Sequence, residues 1–342
     1  MNSSGICVLG AGAWGTTLAD LLSRNNGSAT LWAREDEVVH AINEKGENTL
    51  FLPGIALHKG LKAESDCEAA LKSADFVVFA IPSEHLDNFA ESIAPLISPK
   101  ALLISVTKGL DTISCRTMTQ LICQRVSERS GTPISEVESR VLALSGPNLA
   151  LEVARGIPSS TVIAGIDPEA AQRAQSLFMN DYLRVYTNND ISGVQLGGAL
   201  KNIMAIAAGI SDGLGFGANT KASLLTRGLA EMLRLADLFG ARRDTFMGLS
   251  GLGDLMATAM SDLSRNRQFG VRIAGGEKPS EYLASSRSVV EGAKVVRQVV
   301  AMASRNAISV PICQAVESII YGDLDPAAAV SQLMRRKPKE ED

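Results

Sequence analysis

Lys201 lies in GGALKNIMAIAAGI, where its neighbours three and four positions away along a helix are Gly197, Gly198, Met204 and Ala205. No carboxylate shares that face. Burying an ammonium group disfavours its charged form and lowers its pKa. A lysine tuned in this way exchanges protons near neutral pH. The alternative is a lysine that snorkels out of a packed helix. Lys108, in VTKGL, follows the apolar run ALLISV and would meet an anion at the carboxyl end of a strand; alone it is equally a loop lysine at the surface. A third group lies in GLSGLGDLMATAMSDLSRNRQFG. Gly248, Gly251 and Gly253 predict a flexible loop leading to Asp254. Ser264, Arg265, Asn266 and Arg267 then place a hydroxyl, two guanidiniums and an amide in four residues. That donor set suits a phosphate ester, although Ser264 also reads as a helix cap. SGPNLA, 145–150, is a small-residue turn after another strand.

The residues that would use such a site with a coenzyme are in CVLGAGAWGTTLADLL. Gly10, Gly12 and Gly15 follow an apolar run and open a helical pattern, the context a dinucleotide fingerprint requires. Gly10 makes the tight turn, Gly12 admits the pyrophosphate to the backbone, and Gly15 lets helix and strand approach. An acidic residue for the adenosine ribose is expected about 20 residues on. Arg34 stands there instead, in ATLWAR. A guanidinium can pair with a 2′-phosphate, which favours NADP(H), with NAD(H) also possible. Alternatively Arg34 stacks on the adenine and Glu35 serves the ribose.

These residues need a frame. GICVLG, ATLWAR, FVVFAIP, ALLISV, RVLALSG, STVIAG and YLRVYT read as buried strands, with helical patterns between most of them, so the first half predicts a parallel sheet covered on both faces. From Asp190 onward the patterns are helical. Expected helices run near 191–210, 221–239, 292–306, 311–321 and 326–335. The expected organisation is a doubly wound α/β domain over 1–189, an all-α domain over 190–335 and a charged tail over 336–342. The net charge of −4 speaks against a nucleic-acid binder. No apolar run is read as the ~20 residues of a membrane span, and MNSSGICVLG does not read as a signal peptide. Five scattered cysteines suggest free thiols in a reducing cytoplasm. Three histidines, none at ligand spacing, argue against a catalytic metal.

Taken together, GAGAWGT, LWAR, NTLFLP, TKGL, SGPNLA, GVQLGGALKNIMAIAAGISDGLGFGANTKASLLTRGLAEM, GLSGLGDL, SRNRQFG and VVEG closely resemble the bacterial NAD(P)-dependent glycerol-3-phosphate dehydrogenases over nearly the whole chain. The resemblance implies a Rossmann-type domain followed by a helical one. It also implies reduction of dihydroxyacetone phosphate to sn-glycerol 3-phosphate, supplying phospholipid synthesis, by a cytoplasmic homodimer. Carried over by motif, Lys201 would transfer the proton, and Ala13, Trp14 and Arg34 would touch the coenzyme. Lys108 would sit between coenzyme and substrate. Gly146 and Asn148 would line the substrate side, with Ala150 on the coenzyme. Asp254, Ser264, Arg265 and Asn266 would hold substrate, and Arg265, Val289 and Glu291 would also reach the coenzyme. Asn148 stands where Ser or Thr is frequent, and Phe51 where Tyr is frequent.

The residues and the resemblance converge on hydride transfer to a ketone, with Lys201 stabilising the growing oxyanion and Asp254 holding Lys201 in place. Two rivals share parts of the pattern. A dehydrogenase of hydroxy acids or sugar acids would use the same cations on a carboxylate. A nucleotide-sensing module would keep the glycines but would not need Lys201, Asp254 or SRNR.

Overall fold

The computed structural model describes residues 5–111, 113–286, 289–338 and 340. Its first part is a sheet of β1 (Ile6–Leu9), β2 (Ala29–Trp32), β3 (Leu61–Glu64), β4 (Phe76–Phe79), β5 (Leu102–Ser105), β6 (Val141–Ser145), β7 (Ser159–Ala164) and β8 (Leu183–Asn188). Their spatial order is β3-β2-β1-β4-β5-β6-β7-β8. The central strands β1, β4, β5 and β6 are buried at every residue. A strand covered on both faces is a continuous apolar run, so these were readable from sequence. β3 was not anticipated. Its four residues, LKAE, bury only Leu61 and Ala63, as an edge strand does.

Alternate residues of one strand feed opposite layers. Val8 and Val78 pack with α1 (Ala13–Asn26) and α4 (Pro168–Phe178). Cys7, Leu9, Val77 and Phe79 pack with α2 (Ser83–Ile93) and α3 (Met118–Ser130). The chain order reverses between β1 and β4, and that point of an open sheet leaves a crevice at the carboxyl ends of the strands.

The uniformly parallel sheet expected from the alternation is corrected at one edge. β7 runs antiparallel to β6, pairing Ser145 with Val162, and β8 then runs parallel to β7. Between Ser145 and Ser159 the chain holds only a five-residue helix, Ala150–Ala154, ~7 Å long. That is too short to carry the chain back along a strand of about 16 Å, so it returns in the opposite direction. The consequence is useful. Ser160 and Thr161 are brought beside the SGPN turn.

After β8, α5 (Ile191–Gly213) runs through the centre of a helical bundle, buried at every residue from Gly193 to Ser211. By length and composition α5 is apolar enough to cross a membrane, which corrects the reading that no such run exists; here its apolar stretch is enclosed by protein, as in a core helix. Around it stand α6 (Ala218–Ala236), α7 (Asp254–Met260), α8 (Arg265–Ala274), α9 (Pro279–Ser285), α10 (Glu291–Arg305), α11 (Pro311–Tyr321) and α12 (Pro326–Met334). α5 and α8 cross almost backbone to backbone. A Cβ on Gly209 would stand 2.0 Å from the Arg267 carbonyl oxygen, and one on Gly270 2.2 Å from that of Ile206. This crossing carries the start of α8 to the middle of α5.

Residues 249–253 are not the flexible loop their glycines suggested. They form a π-helical turn that runs directly into α7. A Cβ on Gly251 would lie 2.1 Å from the Phe246 carbonyl oxygen, so that glycine serves close packing. The N-terminal Met1–Ser4 and, within the charged tail, Lys339, Glu341 and Asp342 lie outside the described residues.

Candidate active site

Asp254 is the hub of the cleft between the two halves. Being the first residue of α7, it is fixed by the packed turn before it and is 1% exposed. Its Oδ1 accepts from Lys201 Nζ at 2.7 Å and its Oδ2 from Lys108 Nζ at 2.7 Å. Lys201 comes from the middle of α5, and Lys108 from the loop after β5. Lys108 Nζ also donates to the Gly146 carbonyl oxygen at 2.8 Å, tying the SGPN turn to the same point. Lys201 Nζ donates a second bond, to Thr258 Oγ1 at 2.6 Å, one turn further along α7. An ammonium has three protons. Two are committed within the protein, which leaves one for a ligand.

Burial is the main cause that pushes the Lys201 pKa down to about 8; Asp254 opposes that shift, and Lys108 and Arg265 add to it. The group is therefore charged at neutrality and close to the point of giving up its proton. Two other lysines or arginines near one carboxylate leave an excess of positive charge, the condition for receiving an anionic ligand.

The SRNR group divides. Ser264 Oγ accepts from the Arg267 backbone N–H and caps α8. Arg267 is corrected from the phosphate-binding set: its guanidinium is held by Asp212, at 2.7 Å, and by Asp262. Asn266 is bonded at both ends of its amide and keeps one Nδ2 N–H over. Its Nδ2 donates to Asn202 Oδ1 at 2.9 Å and its Oδ1 accepts from Gly292 N at 2.9 Å. Arg265 is exposed and its guanidinium has no hydrogen-bond partner among the described residues, yet it is near enough to bias both Lys201 and Glu291. Of the four, it alone presents an uncommitted cation.

On the other side of the cleft, Gly10 adopts φ +108°, and a Cβ there would lie 2.7 Å from the Ala80 carbonyl oxygen, so only glycine fits the turn. Gly10 N donates to the Trp32 carbonyl oxygen, placing the loop against the end of β2. Asn48, from NTLFLP, is fully buried and donates to the Ala11 carbonyl oxygen and to Thr16 Oγ1, which fixes the loop from behind. Thr17 Oγ1 reaches the carbonyl oxygens of Ala13 and Ala150, joining the glycine loop to the segment after SGPN. Arg34 Nε and Nη2 both donate to Glu35 Oε1, at 3.1 and 2.7 Å.

This geometry has relatives. A family profile described as NAD-dependent glycerol-3-phosphate dehydrogenase N-terminus matches residues 5–171, and one for the C-terminus matches residues 190–331. The chain belongs to the NAD-dependent glycerol-3-phosphate dehydrogenase family. A glycerol-3-phosphate dehydrogenase [NAD(P)+] of Geobacter metallireducens is 44% identical over 336 residues, 98% of each chain. That of Carboxydothermus hydrogenoformans is 41% identical over 341 residues, covering 100% of this chain and 99% of its own. The crystal structure of glycerol-3-phosphate dehydrogenase from Coxiella burnetii superposes with a TM-score of 0.90 at 36% identity, over 97% of this chain and 99% of that one.

For this member of the glycerol-3-phosphate dehydrogenase family, the glycine loop fits a nicotinamide dinucleotide. A Cβ on Gly12 would meet nothing within 4 Å, so a pyrophosphate can approach the first N–H groups of α1. Trp14 Nε1 is a buried donor without a partner among the described residues. Thr258, Asn202 and Asn48 were not singled out from sequence. Their signal was only spacing: Thr258 is one turn after Asp254, and Asn202 adjoins Lys201. Glu291, at the start of α10, accepts from Ser83 Oγ at 2.6 Å and Ser83 N at 3.3 Å, and burial pushes its carboxyl up. It thus caps α2 across the cleft. Val289 is half-buried two residues before it.

Proposed function

We propose that this chain catalyses reversible reduction of dihydroxyacetone phosphate to sn-glycerol 3-phosphate with NADP(H), and with NAD(H) as a second coenzyme, feeding glycerophospholipid synthesis. The observation that carries this reading is Lys201, buried, with a lowered pKa and one free N–H, held by Asp254 beside the uncommitted Arg265.

A bound nicotinamide supplies the hydride for the C2 carbonyl carbon. The residues do the rest. Lys201 donates its third hydrogen bond to the ketone oxygen and passes it a proton as negative charge grows there. Asp254 and Thr258 aim the ammonium group, so little ordering is left for the reaction itself. Lys108, held by Asp254 and the Gly146 carbonyl oxygen, adds positive charge on the coenzyme side. Arg265 binds the phosphate in a fork, and that binding orients a carbon several bonds away. Ser264 caps α8 and Asn266 locks α8 to α5 and α10, so both line the substrate's approach, and the second Nδ2 N–H of Asn266 is left to donate to the phosphate. Asn148 Nδ2 donates to the Ser160 carbonyl oxygen, leaving the buried Oδ1 as an acceptor beside the Gly146 turn. A homodimer in the cytoplasm completes the reading. Met256 and Met260, one turn apart on α7, and nearby Leu263 are exposed apolar side chains that a second copy would cover.

Lys201→Ala tests the assignment. We expect kcat for reduction to fall by about 10²–10⁴ while the coenzyme dissociation constant stays within about twofold. Activity within about tenfold of the native chain would refute Lys201 as the proton donor.

A further inference from the structure

The end of β2 carries an arrangement that the hydride-transfer reading leaves unexplained. Arg34 is the cation placed to read an adenosine ribose, yet it is held by its neighbour. Both Nε and Nη2 donate to one oxygen of Glu35, Oε1, and Oε2 has no hydrogen-bond partner among the described residues. The Arg34 side chain is 77% exposed and that of Glu35 only 29%. The guanidinium is therefore the more solvent-accessible partner and the carboxylate the more enclosed one. Asp36 and Glu37 follow, both exposed, so the segment offers three carboxylates to one guanidinium. Trp32, two residues before Arg34, accepts from Gly10 N, so this segment lies directly beside the glycine loop.

We propose that Glu35, through its pairing with Arg34, sets the coenzyme selectivity of the chain and keeps both NADPH and NADH usable at one site. The proposal rests on the nicotinamide-coenzyme reading above. A ribose 2′-hydroxyl is a donor and can bond the free Oε2 while Arg34 stays paired. A 2′-phosphate has no proton to give at neutral pH and carries most of two negative charges. It is repelled by Glu35, Asp36 and Glu37 and must draw Arg34 away from Oε1. An exposed ion pair of this kind is weak, so the exchange is possible. It is still an exchange of one charge-assisted bond for another, and much of the gain from the guanidinium is offset. An unpaired arginine at the same place would discriminate far more strongly.

The test is binding of NADPH and of NADH, each followed by fluorescence of the reduced nicotinamide, to the native chain, Glu35→Gln and Arg34→Ala. Glu35→Gln should tighten NADPH by about three- to tenfold and weaken NADH by about two- to threefold. Arg34→Ala should weaken NADPH by about tenfold and leave NADH within about twofold. The NADPH gain in Glu35→Gln should shrink as salt is raised, because exposed charges are screened. If Glu35→Gln keeps the native ratio of affinities within about twofold, or loses both coenzymes alike, Glu35 is only the start of the next helix and the proposal is wrong. Because the readout is binding, tight coenzyme binding without turnover of dihydroxyacetone phosphate would overturn the reductase reading and leave Glu35 standing.

Discussion

At the scale of single residues, the chemistry rests on how two lysines share one carboxylate. Lys201 titrates near pH 8 in the fold. Reduction needs its protonated form, so kcat/KM for reduction should fall about tenfold per pH unit above that value. Oxidation of glycerol 3-phosphate should rise through the same range. Asp254 holds the Lys201 pKa up against burial. Asp254→Asn should therefore move that limb to lower pH, as well as lowering the rate. A stability effect follows with a defined sign. The Lys201 pKa lies below its ordinary value of 10.5, so between about pH 8 and 10.5 the unfolded chain binds more protons. Folding stability gains from Lys201 as pH rises through that window, and below it the charged lysine weighs on the fold. Denaturant midpoints for the native chain and Lys201→Met should converge as pH rises. Lys201 was legible in the sequence because no carboxylate shares its helical face. The expected pairing with Asp254, 53 positions away, is present at 2.7 Å, but it came from the chemistry the two groups share and not from any local pattern.

At the scale of elements, α5 and α8 position the site through glycine contacts. Gly209 and Gly270 allow the crossing that brings Arg265 and Asn266 beside Lys201 and Asn202. Gly270→Ala should lower stability by ~2 kcal/mol or more, since the clash is with backbone. It should also raise KM for the phosphate substrate by displacing Arg265. Unchanged denaturant midpoint and unchanged KM would contradict this account of the crossing. The long helices and central strands were readable because burial leaves a clear period or an apolar run. The edge strand β3 and the short helices were not, since four or five residues carry too little pattern. The reversal of β7 came from the length of the SGPN connection. Gly251 looks the same in sequence whether it serves mobility or, as here, close packing.

At the scale of the whole molecule, the two halves are joined by side chains of the site and of its flanks. Asp254 bonds Lys108, Glu291 bonds Ser83, Lys294 pairs with Glu84, and Gln195 bonds Thr119. A coenzyme that binds the folded chain and not the unfolded one stabilises it by mass action. Saturation with NADPH at 100-fold over its dissociation constant should add ~2.7 kcal/mol of stability. The two halves should melt in a single transition that shifts upward as one. Two transitions, of which only the first moves, would show that the halves are not coupled.

The most direct measurement of the central claim mixes the purified chain with dihydroxyacetone phosphate and follows the loss of reduced-nicotinamide absorbance, with NADPH and NADH in parallel. Both coenzymes should be oxidised, NADPH faster, and Lys201→Ala should nearly abolish the reaction. No oxidation of either by a folded, coenzyme-binding protein would contradict the claim.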